Sequence, residues 1–188
     1  MTATTQSFAK VGELAPEFTL PIYDPADAKN SNKKVSLKDY RGKWVVFYFY
    51  PMDFTFVCPT EILAFADKKD EFDALGAEIL GCSTDTYFTH KAWVETPRAK
   101  NGIEGTNYPI AADHSGTVAR SYGVLIEDSN IALRGLFIID PQGVLQYATV
   151  NALNVGRSTE ETLRVLAALQ SGGLCPSNWK PGGKLLAA

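Results

Sequence analysis

The segment Trp44-Val-Val-Phe-Tyr-Phe-Tyr50 constrains this chain more than any other. An unbroken β-branched and aromatic run of this length marks a central strand, and Pro51 ends its ladder by removing a backbone donor. Beyond a short loop, Pro59 suits the first position of a helix and Glu61 its first turn. Ile62, Leu63, Phe65, Ala66 and Phe72 then recur at helical spacing up to Gly76. A strand therefore hands over, through residues 51–57, to a helix whose N-terminus carries Cys58.

That position suits an anion, because the first N–H groups of a helix are unpaired and the positive end of its dipole lies there. A free cysteine titrates near pH ~8.5. For a cysteine to react as a thiolate at neutral pH, on the order of 3 kcal/mol of stabilisation is needed. A helix terminus supplies ~0.3–1 kcal/mol and at best ~2. A nearby cation is therefore required if Cys58 is reactive, and the sequence around it leaves open a buried structural cysteine that happens to start a helix.

The 188 residues are 45% hydrophobic and 21% charged, enough for one ordinary core with arms. We read residues 8–171 as one domain and 172–188 as a C-terminal arm. The net charge of −3, with Lys33-Lys34 and Lys68-Lys69 as the densest basic pairs, argues against a nucleic-acid surface. No membrane partner is expected either. Neither a secretory leader nor a long apolar segment is visible, so a soluble, cytoplasmic protein is expected. Cys58, Cys82 and Cys175 are an odd count without C-x-x-C spacing, which fits a reducing cytosol better than a disulfide scaffold.

Along the chain, residues 18–23 read as a short strand that Pro21 confines to a sheet edge, and 24–34 as turn-like. After the helix from Pro59 come a strand over 77–83, a helix from Thr86 or Tyr87 stopped before Pro97, a loop over 101–107, a short strand over 108–111 and a short helix over 115–122. Residues 134–140 and 144–150 flank Pro141-Gln-Gly143 as a hairpin, and Ser158-Thr-Glu-Glu161 is a capping box opening a helix that ends before Gly172-Gly173. This succession predicts an α/β fold of thioredoxin-like arrangement: a mixed central sheet flanked by helices, with an irregular arm.

A cysteine hydrolase needs a histidine base, and the two histidines, His90 and His114, read as surface or interface residues. No cysteine and histidine spacing suggests a metal site, and no cofactor is expected. A thiolate attacking an O–O bond needs no base for the nucleophile, but it needs charge stabilisation on the departing oxygen and exclusion of water. Thr55 offers a hydroxyl to peroxide oxygens, and Pro51 can shield the sulfur.

These residues resemble the peroxiredoxin signature Pro-x-x-x-Thr-x-x-Cys, matched by Pro51, Thr55 and Cys58. Phe54-Thr-Phe-Val-Cys-Pro-Thr-Glu61 is similar to the typical two-cysteine subgroup, and Cys175-Pro176 with Trp179 to its resolving-cysteine motif. Val11-Gly-x-x-Ala-Pro16-x-Phe18 resembles the N-terminal segment of the family, and residues 86–93 the Thr-x-x-x-His-x-x-Trp region of the bacterial alkyl hydroperoxide reductase peroxidase subunit. The resemblance spans about residues 8–183.

The resemblance implies that Arg134 is the missing cation, a choice that composition could not make over Arg120 or Arg157. It implies attack by Cys58 on hydrogen peroxide or an organic hydroperoxide, a sulfenic acid, and a disulfide with Cys175 of another subunit. It also implies a homodimer, a decamer of five dimers, and a reductant that is either an alkyl hydroperoxide reductase flavoprotein or a thioredoxin-like protein. Glu61 caps its helix and, by analogy, orients Arg134. Cys82, in an apolar strand, reads as structural. Gly102-Ile-Glu-Gly105 matches only imperfectly the Gly-Gly-Leu-Gly motif of peroxide-sensitive relatives, and their Tyr-Phe-bearing terminal helix is not seen, so relative resistance to overoxidation is expected. A ring-forming, chaperone-like holdase and a peroxide sensor are the alternative functions.

Overall fold

The computed structural model describes residues 8–30 and 33–187. The first half contains β1 (Thr19–Tyr23), β2 (Lys34–Ser36) and β3 (Trp44–Phe49). It continues through α1 (Cys58–Asp67), α2 (Lys69–Ala74), β4 (Ala77–Ser83), α3 (Tyr87–Val94) and β5 (Ile110–Ala112). The second half holds α4 (Thr117–Ser121), β6 (Leu125–Ile126), β7 (Ile131–Ala132), β8 (Arg134–Ile139), β9 (Leu145–Asn151) and α5 (Thr159–Gln170).

Among the described residues, seven strands form one mixed sheet in the order β2-β1-β5-β4-β3-β8-β9. β3, β4 and β5 run parallel, which helical crossovers allow, whereas β8 and β9 form the antiparallel hairpin expected about Pro141-Gln-Gly143. The unbroken apolar run of β3 has a simple cause: both of its faces are covered. Val46, Tyr48 and Tyr50 face Ile62, Phe65, Phe72, Trp93, Leu163 and Leu166 of the helices, while Val45, Phe47 and Phe49 face Phe18, Leu37, Val118 and Tyr122. Each such side chain contributes roughly 1.5–3 kcal/mol by leaving water. Gly81 on β4 leaves room for Tyr48, whose hydroxyl would lie 3.0 Å from any Cβ there.

Three sequence expectations need correction. β1 is not an edge, because it pairs with β2 on one side and β5 on the other. Pro21 is tolerated because the β5 ladder begins only at Ile22, so the missing donor faces no strand on that side. The helix after Cys58 is two helices, broken where Lys68 leaves helical geometry (φ −108°, ψ 12°), and Phe72 of the second packs on Phe65 of the first with ring centroids 5.8 Å apart. The ribbon β6–β7 was invisible in the sequence, since two-residue strands carry no periodicity. Of the turn-like stretch 24–34, residues 31 and 32 lie outside the described residues, and Lys34 already belongs to β2.

Ser158 caps α5 by accepting from the Glu161 N–H at 3.1 Å, while both Glu161 carboxylate oxygens take Arg164. The arm after Gly172 folds back on α5: Trp179 is buried, its carbonyl accepts from Arg164 Nη1 at 3.0 Å, and Leu174 bridges to Leu186. No helix among the described residues is long and apolar enough to cross a membrane.

Candidate active site

Cys58 is the first residue of α1, and it is 0% exposed. The preceding Val57 already has helical angles, and its carbonyl accepts from the N–H groups of Thr60 and Glu61 at 3.1 and 3.3 Å. Pro51 is buried just beyond β3, where it begins the loop that leads to Cys58. Thr55, half-buried in that loop, donates its hydroxyl proton to Met52 O at 2.8 Å. Its oxygen therefore keeps lone pairs able to accept a hydrogen bond from a peroxide O–H.

Arg134 reaches the sulfur through register. β3 and β8 pair Tyr48 with Leu136, and continuing that antiparallel ladder sets Arg134 opposite Tyr50, level with the start of the loop. Leu136 and Ile138 face the side of the sheet where α1 lies, and period-two alternation sends Arg134 the same way. Its Nη1 lies 3.4 Å from Cys58 Sγ and also donates to Glu61 Oε2, while its Nε donates to Leu153 O at 2.8 Å. Glu61 stands three residues beyond Cys58, on the same face of α1.

A second arginine completes the cluster. Arg157, immediately before the cap of α5, donates to Glu61 Oε1 from its backbone N at 2.9 Å and from Nε at 2.7 Å. Its Nη1 donates to Phe49 O and Gly135 O at 2.7 and 2.6 Å, and its guanidinium carbon sits 5.0 Å over the Tyr48 ring. Two buried guanidinium groups share one buried carboxylate, which leaves one positive charge without an ion-pair partner among the described residues. The sequence named Arg157 only as an alternative to Arg134, although a cation directly ahead of a capping box could have marked it as tied to a helix start.

The structure corrects the reading of His90, which is not a surface residue but 0% exposed. Tyr87, His90 and Trp93 recur every three residues and share the buried face of α3, a spacing that could have revealed it. His90 Nε2 lies 3.1 Å from Ala111 O, which can only accept, so that nitrogen carries a proton. Its Nδ1 lies 2.8 Å from Asp53 Oδ2, and Tyr50 donates to Asp53 Oδ1 at 2.7 Å. Asp53, missed in the sequence, thereby anchors the loop of Pro51 and Thr55 to α3. Its N–H also donates to Asp85 Oδ2 at 3.0 Å, and burial, with the Asp53 charge second, raises the Asp85 carboxyl above its usual range. His114 is exposed, as expected.

The other two cysteines are placed differently. Cys82 is buried in β4 against the second core, where burial first and Asp113 second push its thiol well above the ordinary range. Cys175 is half-buried, its Sγ 3.3 Å from Ser171 Oγ and 3.7 Å from Ala168 O at the end of α5. All three are free thiols.

Comparison with known proteins agrees with this geometry. The AhpC/TSA family matches residues 11–148. The chain is 56% identical over 178 residues to the Bacillus subtilis protein YkuU, covering 94% of this chain and 97% of that protein. It is 51% identical over 178 residues to peroxiredoxin-2 of Mus musculus, covering 93% and 88%. The reduced 2-Cys peroxiredoxin of Plasmodium vivax superposes with a TM-score of 0.88 at 40% identity, covering 93% and 91%. These matches do not separate the alkyl hydroperoxide reductase type from other two-cysteine members. An α/β sheet with a shielded, arginine-paired cysteine, a second cysteine in the arm, and this set of relatives lead to one assignment: the chain belongs to the AhpC/TSA family and is a typical two-cysteine peroxiredoxin, a thiol peroxidase.

Proposed function

We propose that Cys58 is the nucleophile that reduces hydrogen peroxide and small organic hydroperoxides, and that Cys175 of a partner subunit resolves it. The observation that carries this reading is the 3.4 Å contact between Arg134 Nη1 and Cys58 Sγ, in a buried cluster of two guanidinium groups and one carboxylate. The thiolate attacks one peroxide oxygen, the O–O bond breaks, and the departing oxygen takes a proton as water or alcohol. Arg134 stabilises the charge that moves onto that oxygen, which takes its proton from solvent; Thr55 accepts a hydrogen bond from the peroxide O–H, Pro51 excludes water, and Glu61 with Arg157 holds Arg134 in place. The resulting sulfenic acid then loses water to the Cys175 thiol, forming the disulfide.

A disulfide needs Cα atoms about 4.4–6.8 Å apart. Cys58 lies under its loop and Cys175 is held on the last turn of α5, so both segments must move. Residues 172–188 act as the mobile arm of a domain spanning 8–171. Phe56 in the loop and Phe88 on α3 are 87% and 74% exposed, and Val150, Leu153 and Val155 are exposed along and beyond the edge strand β9. Such surfaces suit a dimer and a ring of five dimers. A flavoprotein reductase or a thioredoxin-like protein in the cytoplasm closes the cycle, and relative resistance to overoxidation belongs to the same proposal.

One equivalent of hydrogen peroxide added to the reduced protein should give a Cys58–Cys175 linked peptide, seen by mass spectrometry, and a dimer on a non-reducing gel. A monomeric band with both thiols still alkylatable would sink the assignment.

A further inference from the structure

Arg157 is not fully satisfied by hydrogen bonds. Its Nε and Nη1 are taken by Glu61 Oε1, Phe49 O and Gly135 O, but its Nη2 is buried without a hydrogen-bond partner, alone in this among the described side chains. A buried charged donor without an acceptor is costly, so what lies against this group matters. The guanidinium carbon stands 5.0 Å over the Tyr48 ring, and the negative face of an aromatic ring attracts a cation at that separation.

Tyr48 is held for that contact from its other sides. Phe65 stacks on one face of the ring, with centroids 4.7 Å apart and planes 16° from parallel, so Arg157 covers the opposite face. The Tyr48 hydroxyl lies 2.7 Å from the Tyr108 hydroxyl, which lies 2.8 Å from Ile62 O. A carbonyl can only accept, so Tyr108 donates to Ile62 O and accepts from Tyr48. The tether ends on the residue after Glu61, so the ring, the carboxylate and α1 are mounted together. Burial, the largest cause for each, raises both phenols well above their ordinary range, so at neutral pH Tyr48 acts through its π face and not as a phenolate. The charged and titratable groups gathered at Cys58 are thus Glu61 of α1, Arg134 of β8, Arg157 ahead of α5 and Tyr48 of β3, with Tyr108 beyond it and Asp53 of the preceding loop bound to His90 and Tyr50.

We propose that Tyr48 is a positioning residue for the peroxidase reaction: its π face fixes Arg157 on Glu61, so that Arg134 keeps positive charge to present to Cys58. This rests on the assignment of Cys58 as the nucleophile above. Glu61 gives one carboxylate oxygen to each arginine. When the ring no longer attracts Arg157, that side chain loosens, Glu61 turns wholly to Arg134, and the positive field at the sulfur weakens.

The test varies the charge of the ring and leaves its size nearly constant. The full-length protein is compared with Tyr48→Phe, which keeps the π face and orphans no donor, and with trifluoro- and pentafluorophenylalanine incorporated at the same position. Fluorine withdraws the electron density on which a cation–π contact depends. Alkylation of Cys58 by iodoacetamide across a pH series, read by mass spectrometry, gives the midpoint at which the sulfur ionises, and stopped flow gives the rate with hydrogen peroxide. Tyr48→Phe should stay within about twofold of wild type, whereas the midpoint should climb stepwise with fluorination, by about half to one unit in total. Below that midpoint the rate with peroxide should fall about three- to tenfold, a graded response that a merely space-filling ring would not give. A midpoint that is constant across the fluorinated series, while Cys58 of the wild type still reacts with peroxide, overturns the role of Tyr48 alone. Absence of Cys58 oxidation in the wild type overturns the assignment beneath it as well.

Discussion

Cys58 and Cys82 are both completely buried: Cys82 pairs with Phe49 on the sheet, just before the loop that leads to Cys58 at the start of α1. Their surroundings differ in the sign of fixed charge. Cys82 faces apolar side chains and the carboxylate of Asp113, so burial and charge both oppose its thiolate. Cys58 starts a helix and touches Arg134, in a cluster of two guanidinium groups and one carboxylate. On the proposed assignment, burial therefore does not separate an inert cysteine from a reactive one. The charge that the fold buries with it does.

The largest effect should come from exchanging the roles. Cys58→Ser should lower peroxide consumption by about a thousandfold or more with a thiol reductant supplied, and retained turnover would break the comparison. Glu61→Gln leaves two buried guanidinium groups facing each other without their carboxylate, and urea unfolding should show a loss of about 3–5 kcal/mol. A near-wild-type unfolding curve would mean that the cluster is not held together as described. Arg134→Met should slow the reaction with peroxide roughly a hundredfold in stopped-flow measurements while leaving the fold intact by circular dichroism.

Cys82→Ala sharpens the contrast from the other side: turnover stays at the wild-type level, and stability falls by about 1–3 kcal/mol through lost packing. The smallest effect concerns pH. The folded Asp85 carboxyl lies above its ordinary value of 3.8, so between the two values the native state binds more proton than the unfolded chain. Stability then falls as pH rises through that window and is highest below it. Asp85→Asn should flatten this slope in acid, read from melting temperatures between pH 3 and 6, and an unaltered slope would assign it to another group.

Much of the fold was legible because its signals are local. The apolar run 44–50, the strand 77–83, the hairpin about Pro141-Gln-Gly143 and the Ser158 cap all appear where residue type and period place them. Errors arose where neighbours in space overrode the local pattern. Pro21 looked like an edge residue until the β5 ladder was seen to start one position later, and His90 looked solvated until Asp53 and Ala111 O were found to satisfy it.

The active site divides in the same way. The sequence by itself determined that Cys58 begins a helix after a central strand, with Pro51 and Thr55 in the intervening loop, because strand, breaker and helix start are written in consecutive residues. It could not choose among arginines, since nothing local links residue 58 to residues 134 and 157. Only the tertiary structure decided that, through the antiparallel register of β3 and β8 that carries Arg134 to the sulfur, and through Glu61, which gathers Arg134 and Arg157 around one carboxylate.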